Sequence, residues 1–186
     1  MTSLSIHLMR HGVPEMAGRL LGHCDAPPDL DGMALCVDRA RSLRFDHVVT
    51  SDLARARIPG ETIATERNVA LHIDPRWREL DFGQWDGFDP ADLAADALSR
   101  FWDDPEANPP PDGERWSALC ERVGAALSDI SAPTLVLSHA GAMRAALSVL
   151  CGMDHRQVWA FDLPYGALLS LRLWPDGTAQ ITGLQS

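Results

Sequence analysis

Short apolar runs alternate along this chain with longer segments in which apolar residues recur at helical spacing. Residues 5–9, 47–50 and 134–137 have the length and composition of buried strands. The segments with helical character span residues 31–43, 52 to about 70, 91–102, 114–128 and 142–150. Pro59 lies inside the second of these segments and is expected to kink or split that helix. The alternation of strands and helices predicts an α/β fold with a largely parallel sheet.

The end of the chain has a different pattern. Residues 167–173 and 179–184 flank a Pro-Asp-Gly turn, which predicts a terminal hairpin whose exposed apolar residues are a candidate homodimer surface. Residues 76–87 follow neither period and are predicted to form an ordered loop. The Pro-rich residues 105–113 could be a linker, but too few elements follow them for a second domain. We therefore expect one domain over residues 1–186.

The composition of the chain disfavours several classes of function. The chain has 186 residues, 26 acidic and 16 basic, and its net charge is −10. All the basic residues are arginines, and they form no basic stripe, which disfavours nucleic acids and anionic membranes as partners. The four cysteines include no Cys-x-x-Cys pair, and no apolar run approaches the length of a membrane span. These features predict a reduced, cytoplasmic protein.

Polar residues follow each of the three predicted strands. Arg10 and His11 come after the first strand, Arg55 follows the second and His139 follows the third. Because the carboxyl ends of parallel strands meet at one edge of a sheet, these side chains are expected to share a pocket. Arginine forks match phosphate oxygens, and the predicted helix after His139 would add backbone N–H groups that favour anions. The inferred ligand is a phosphoryl group.

Hydrolysis of a phosphate ester needs a nucleophile and an acid. Neutral imidazole is a good phosphoryl acceptor, and His11 is the natural candidate because it stands next to Arg10. The leaving oxygen needs a proton, and either Glu79 or Asp81 could supply it.

The same residues have plainer interpretations. A histidine after a strand is usually structural or solvated, and Arg55 alone could be a surface residue of a helix. Glu79 stands close to Arg76 and Arg78, so it could belong to a solvated ion pair. The residues taken one by one leave both interpretations open.

Taken together, four motifs resemble those of the histidine phosphatase superfamily, also called phosphoglycerate mutase-like. Residues 8–12 (Leu-Met-Arg-His-Gly) resemble its Arg-His-Gly signature, and residues 51–56 resemble its Ser-x-Leu-x-Arg-Ala motif. Residues 78–87 resemble an Arg-Glu-(apolar)-Asp-Phe-Gly-x-Trp-Glu-Gly segment. Residues 138–141, with Arg144 nearby, resemble the final Ser-His-(Gly/Ala)-Gly motif. The motifs stand in the family order and span nearly the whole chain.

The resemblance implies a role for each polar residue. His11 would be phosphorylated, while Arg10, Arg55 and His139 would hold the phosphoryl oxygens. Glu79 would protonate the leaving oxygen and then deprotonate the attacking water. The implied fold is a three-layer α/β/α sandwich whose mostly parallel sheet has one antiparallel strand. No metal or organic cofactor is implied.

The chain also departs from the family pattern. Residues 13–17 replace the Glu-Thr or Glu-Ser that often follows Arg-His-Gly, and the asparagine that usually comes next is absent. Pro59 and Gly60 replace the usual Thr-Ala of the second helix. Residues 18–27 resemble α-ribazole phosphatases of cobalamin synthesis, as does the His-Ala-Gly variant at 139–141.

We therefore expect a metal-independent phosphomonoester hydrolase that acts through phosphohistidine on a small phosphorylated metabolite, with α-ribazole 5′-phosphate as a candidate. A phosphoglycerate mutase is the first alternative, although the chain has no long insertion that could serve as a lid. A non-catalytic module that binds a phosphorylated ligand is the second. Specificity is expected to come from the pocket wall, with His23, Trp85, Trp102 and residues 105–113 as candidates.

Overall fold

The computed structural model describes residues 3–186 and places six strands in one sheet. The strands are β1 (Leu4–Arg10), β2 (His47–Thr50), β3 (Ala70–Ile73), β4 (Thr134–Ser138), β5 (Leu168–Leu173) and β6 (Ala179–Gln185). Their order across the sheet is β3-β2-β4-β1-β5-β6. Strands β1 to β4 pair in parallel, whereas β5 pairs antiparallel with both β1 and β6. Strand β5 alone therefore runs against the others, which confirms the predicted sheet.

Helices cover both faces of this sheet. They are α1 (Leu30–Ala40), α2 (Ala54–Arg67), α3 (Ala95–Asp103), α4 (Trp116–Ser128), α5 (Ala140–Cys151) and α6 (His155–Trp159). Helices α1 and α2 pack on one face, and α4 and α5 pack on the other. The three-layer α/β/α sandwich is therefore confirmed. Among residues 3–186, none of the helices has the length and apolarity needed to cross a lipid bilayer.

The strands explain why the core has two parts. Successive side chains of a strand point to opposite faces of its sheet. On β1, Ile6 and Leu8 join the cluster under α4 and α5, while Met9 joins the cluster under α1 and α2. On β4, Val136 and Leu137 divide in the same way. All of these side chains are fully buried. The central strands are thus largely apolar because both of their faces are covered.

Helix α2 differs from its prediction. It runs without a break through Pro59, so the predicted split is wrong. Proline removes only one hydrogen bond of the helix there. The neighbouring Gly60 lets the helix lie close to Thr50 of β2, since a β-carbon at Gly60 would be 3.1 Å from the Thr50 Cβ. The helix ends at Asn68, whose φ of 52° is left-handed. Strand β3, which was not predicted, begins two residues later.

Helix α6 was also not predicted. Asp154 accepts a hydrogen bond from the backbone N–H of Gln157, and the Gln157 side chain accepts one from the backbone N–H of Asp154. This capping box satisfies backbone donors that would otherwise have no partner. It sets α6 directly after α5, at the end of the molecule where the cavity described below lies.

Candidate active site

A cavity of about 220 Å³ opens at the edge of the sheet where β1 and β4 end. Its polar wall comes from the residues that follow these strands, and from the loop between β3 and α3. This wall contains Arg10, His11, Glu79, Ala140 and Gly141. The structure therefore brings Arg10 and His11 together with Glu79, which lies far from them in the sequence. Of the four residues that the strand ends predicted for this pocket, Arg10 and His11 line the cavity, whereas Arg55 and His139 do not.

His11 is only 4% exposed, and its environment fixes the state of the ring. Its Nδ1 lies 2.7 Å from the Gly12 carbonyl oxygen. Because a carbonyl oxygen can only accept, Nδ1 carries the proton in the neutral ring and Nε2 keeps its lone pair. Burial, together with the charges of Arg55 and Arg10, holds the pKa of His11 well below its usual value. The ring is therefore neutral at pH 7 and can act as a nucleophile through Nε2.

His139 packs against His11, with 5.0 Å between the ring centroids. It is fully buried at the N-terminus of α5. Neither of its ring nitrogens has a hydrogen-bond partner in the part of the chain that the structure describes. Burial and the nearby Arg55 charge keep the pKa of His139 well below its usual value as well. Buried polar atoms without protein partners are expected to bind a ligand or water.

Arg10 is held by its neighbours on the same wall. One Nη donates to the Leu163 carbonyl oxygen at 2.7 Å, and the guanidinium lies 4.1 Å from the centroid of the Tyr165 ring. Its Nε is buried and has no partner among the described residues. Tyr165 also lies 5.6 Å from His11 between ring centroids and lines the cavity. The sequence analysis missed Tyr165, since nothing in the sequence around it marks it as part of a site.

Arg55 is fully buried beside the cavity, but it does not line the cavity. Its Nη1 donates to the carbonyl of Cys24 at 2.8 Å, and its Nη2 donates to the carbonyls of Leu21 and Gly22 at 2.8 and 2.7 Å. Arg55 thus holds residues 21–24, which we call the clamped loop. Its plainer interpretation as a surface residue is wrong.

Asp86 binds the clamped loop through its backbone N–H groups. One carboxylate oxygen accepts from Gly22 at 2.8 Å, and the other accepts from His23 and Cys24 at 2.7 Å each. A carboxylate that accepts several backbone hydrogen bonds makes strong, charge-assisted contacts. The carbonyls of the loop are therefore bound by Arg55 and its N–H groups by Asp86.

Glu79 lines the cavity with its carboxylate next to the start of α5. One oxygen accepts from the Leu80 N–H at 2.9 Å, and the other accepts from the Gly141 N–H at 3.1 Å. Arg76 and Arg78 bind aspartates instead of Glu79. The interpretation of Glu79 as a solvated ion pair with these arginines is therefore wrong.

Asp81, the other candidate acid, does not line the cavity. One of its oxygens accepts from the Gly83 N–H at 2.8 Å, and the other lies 3.5 Å from Nδ1 of His23. The structure therefore places Glu79, and not Asp81, beside the histidines. Within residues 3–186, no group of three or more His, Cys, Asp or Glu side chains has an arrangement that could hold a metal ion.

The rest of the cavity wall is largely aromatic. Aromatic side chains line it in addition to Tyr165, namely Phe82, Phe101, Trp102, Trp116 and Trp159. Of the residues proposed from sequence for this wall, only Trp102 lines the cavity. Trp85 packs behind it, 5.8 Å from Phe101 between ring centroids, and neither His23 nor residues 105–113 contribute. The sequence analysis missed Trp159 because it lies on the unpredicted helix α6.

Comparison with known proteins shows which family the chain belongs to. The sequence model of the histidine phosphatase superfamily (branch 1) matches residues 6–184. The chain belongs to this superfamily. This confirms the resemblance found in the motifs. The protein is a phosphatase that acts on a small phosphorylated substrate.

Several histidine phosphatases are similar over most of their length. The adenosylcobalamin/alpha-ribazole phosphatase of Salmonella typhimurium is 29% identical over 196 residues, covering 98% of this chain and 96% of the relative. The probable phosphoglycerate mutase GpmB of Klebsiella pneumoniae is 34% identical over 169 residues, covering 81% and 76%. The crystal structure of the alpha-ribazole phosphatase from Shigella flexneri has a TM-score of 0.86 at 25% identity and covers 98% and 96%.

Proposed function

We propose that this histidine phosphatase hydrolyses phosphate monoesters through a phosphohistidine formed on His11. The observation that carries the proposal is the state of the His11 ring. It is buried and neutral, its Nδ1 donates to the Gly12 carbonyl, and its Nε2 keeps its lone pair, while the ring feels the positive charges of Arg55 and Arg10. A nucleophile with this tautomer and these neighbours suits attack on an anionic phosphoryl group.

The chemistry takes two steps. In the first, Nε2 of His11 forms a bond to phosphorus while the bond to the ester oxygen breaks, and protonated Glu79 gives its proton to that oxygen. In the second, the Glu79 carboxylate removes a proton from water, the water oxygen attacks phosphorus, and the bond to His11 breaks. Inorganic phosphate leaves, and Glu79 is protonated again for the next turnover.

The remaining residues of the site stabilise the negative charge of the phosphoryl oxygens. Arg10 and His139 each have a buried nitrogen without a protein partner, and both would bind phosphoryl oxygens directly. The backbone N–H groups at the start of α5 favour an anion in the same place. Arg55 was predicted to hold these oxygens too: its Nη atoms donate to carbonyls, but its buried Nε, like that of Arg10, has no partner among the described residues. We assign it a positive charge beside His11 and, through Nε, a donor for the same oxygens.

The leading substrate is α-ribazole 5′-phosphate. The Salmonella relative whose name includes this activity matches nearly the whole chain, whereas the mutase-named relative matches a smaller share. A mutase must also shield its phosphoenzyme from water, and the cavity opens to solvent at Trp102, which is 42% exposed. These observations favour hydrolysis over isomerisation.

The cytoplasmic location and the homodimer stay predictions. Strand β6 is an edge strand, and its Leu184 is 38% exposed, so this edge could pair with a second copy of the chain. Light scattering of the purified protein would measure its mass in solution.

The test of the proposed function compares the wild type with His11→Ala in the presence of EDTA. The substrates are p-nitrophenyl phosphate, α-ribazole 5′-phosphate and 3-phosphoglycerate, and His72→Ala is the matched control because His72 is exposed on β3. We expect a loss of about 10³-fold or more for His11→Ala alone, as for other essential nucleophiles. Wild type quenched with alkali should carry a phosphoryl group that is stable to base and labile to acid, and that His11→Ala lacks.

Other outcomes would support the alternatives. Isomerisation of 3-phosphoglycerate faster than its hydrolysis would indicate a mutase. Binding of phosphate esters by folded protein without turnover would indicate a binding module. Activity that disappears only on chelation would contradict the metal-independent mechanism.

A further inference from the structure

Arg144 lies on the cavity wall, and the mechanism above gives it no task. It follows Ala140 by four residues on α5, so both side chains lie on the same face of the helix. Side chains of a helix lean towards its N-terminus, which brings the guanidinium of Arg144 towards Ala140 and Gly141. Both of these residues line the cavity as well.

The guanidinium of Arg144 is only partly satisfied by the protein. One Nη donates to the Phe161 carbonyl oxygen at 3.3 Å, and Nε is buried without a partner. Over residues 3–186, Arg144 forms no ion pair within 4.0 Å. Burial lowers the pKa of Arg144, and the charge of Glu79 opposes this shift. A buried guanidinium with a free donor would gain from an acceptor oxygen supplied by a ligand.

Arg144 also reaches the aromatic part of the wall. Its Cζ lies 5.1 Å from the centroid of the Trp159 ring. Trp159 in turn packs edge to face with Trp102 and Trp116, at 6.2 and 5.3 Å between ring centroids. Trp102 is 42% exposed, so a ligand in the cavity can reach its ring, whereas Trp116 is only 8% exposed. Arg144 thus links the Glu79 end of the cavity to its indole rings.

The two ends of the cavity suit different parts of a substrate. A phosphoryl group is bound by cations and N–H donors and makes no use of indole rings. A compact acid such as 3-phosphoglycerate could bind Arg144 through its carboxylate, but it has no ring to contact Trp102 and Trp159. A planar heterocycle could stack on one indole and meet the other with its edge, because the two rings are inclined by 61° and stacking on an aromatic side chain accepts any base with a π-face.

We propose that Arg144, Trp102 and Trp159 form a leaving-group subsite. In this subsite Arg144 binds a sugar oxygen near the ester bond, and the two tryptophans hold a planar heterocycle beyond the sugar. The substrate class is a 5′-phosphorylated nucleoside in the broad sense. The inference rests on the proposed function, which it deepens by naming the residues that select the leaving group.

Three esters separate the contributions of this subsite. Propyl phosphate has neither sugar nor ring, ribose 5-phosphate has the sugar alone, and α-ribazole 5′-phosphate has both. For Arg144→Met, we expect kcat/KM to fall roughly tenfold more on the two sugar esters than on propyl phosphate. For Trp102→Leu or Trp159→Leu, the preference for α-ribazole 5′-phosphate over ribose 5-phosphate should fall roughly tenfold. The controls Arg156→Met and Trp174→Leu remove residues outside the cavity and should change neither ratio.

The outcomes distinguish the subsite from other roles of Arg144. Equal losses on all three esters would show that Arg144 acts on the phosphoryl group or on the fold, and would overturn its part of the proposal. A preference for α-ribazole 5′-phosphate that survives loss of either indole would overturn the part of the tryptophans. The ratios are measured only on variants whose Tm shows that they are folded, and Arg144→Lys, which keeps the charge, replaces Arg144→Met if the latter does not fold.

Binding of the free nucleoside tests the subsite without any turnover. Calorimetry with α-ribazole, which has no phosphate, should give a Kd that rises about tenfold in Trp102→Leu and in Arg144→Met but not in the controls. If no ester is hydrolysed and this pattern is found, the proposed function fails and the subsite stands. If the esters are hydrolysed and the Kd is the same in every variant, the subsite fails and the proposed function stands.

Discussion

The Asp86 carboxylate offers a quantitative test of the clamped loop. In Asp86→Asn, one amide oxygen can still accept backbone hydrogen bonds, but the NH₂ group must face at least one of the three N–H donors of Gly22, His23 and Cys24. At least one charge-assisted bond is lost, and those that remain become neutral. Such bonds contribute about 1.5–3 kcal/mol each when buried, and Asp86 is half-buried, so we expect about 2 kcal/mol of lost stability.

The assay is thermal and urea unfolding of Asp86→Asn beside the wild type. For a chain of this size, about 2 kcal/mol corresponds to a fall in Tm of roughly 4–8 °C. Because the loop is bound to Arg55, which lies beside His11, kcat/KM should fall as well, and Asp86→Glu should recover part of it. Asp92→Asn removes the same charge from an exposed side chain and serves as the control. If both asparagine variants have the same Tm and activity, the carboxylate does not hold the loop and the reasoning is refuted.

The remaining predictions concern the histidines and the carboxylate of the cavity. Because the folded pKa values of His11 and His139 are lowered, the unfolded chain binds protons first as pH falls below about 6.5. The free energy of unfolding should then fall by about 1.4 kcal/mol per pH unit for each histidine. Urea unfolding between pH 7 and 5 should show a smaller dependence of this free energy on pH in His139→Gln, and an unchanged dependence would contradict the burial argument. Glu79→Gln should lower kcat/KM, which reports the phosphorylation of His11, by roughly 10²–10⁴-fold on alkyl esters and by much less on p-nitrophenyl phosphate, whose leaving group needs no proton. Its kcat should fall on every ester, because Glu79 also takes the proton from water in the second step, so equal losses of kcat/KM on the two kinds of ester are the result that would exclude Glu79 as the acid. In Gly141→Ala, the new methyl group would collide with the Glu79 carboxylate, so activity should fall while the fold is kept, whereas Gly124→Ala meets only Val149 at 3.6 Å and should leave activity unchanged. Equal activity of the two alanine variants would show that the contact between Glu79 and Gly141 is not needed for turnover.

The strands that the sequence predicts as buried all lie in the interior of the sheet. Strands β1, β2 and β4 lie in the interior of the sheet, so they are short apolar runs that stand out in the sequence. Strand β3 lies at the edge and is mostly exposed, and its residues Ala70–Ile73 continue the helical pattern of α2 without an apolar boundary. The one local signal was Asn68, a residue that tolerates the left-handed conformation that ends α2. The capping pair of Asp154 and Gln157 was a similar signal for α6.

The site was predictable to the extent that its residues are next to strand ends. Arg10 is the last residue of β1, and His11 and His139 follow β1 and β4 directly, so the sheet alone brings them together. Arg144 and Trp159 reach the cavity only through the packing of α5 and α6, which no local pattern reports. The carbonyl partners of Arg55 lie more than thirty residues away along the chain, so its task as the anchor of a loop required the tertiary structure.

The position of Arg55 has a thermodynamic consequence. The Arg55 guanidinium helps to order residues 21–24 and also contributes, with Arg10, to the positive potential at His11, so anion binding and loop order are linked equilibria. Any factor by which loop opening weakens the binding of phosphate is matched by an equal factor by which phosphate suppresses loop opening. Occupancy of the site would therefore slow hydrogen exchange at the amides of Gly22, His23 and Cys24, although none of these residues lines the cavity. Substrate would in this way rigidify a loop of which Leu21 alone lines the cavity.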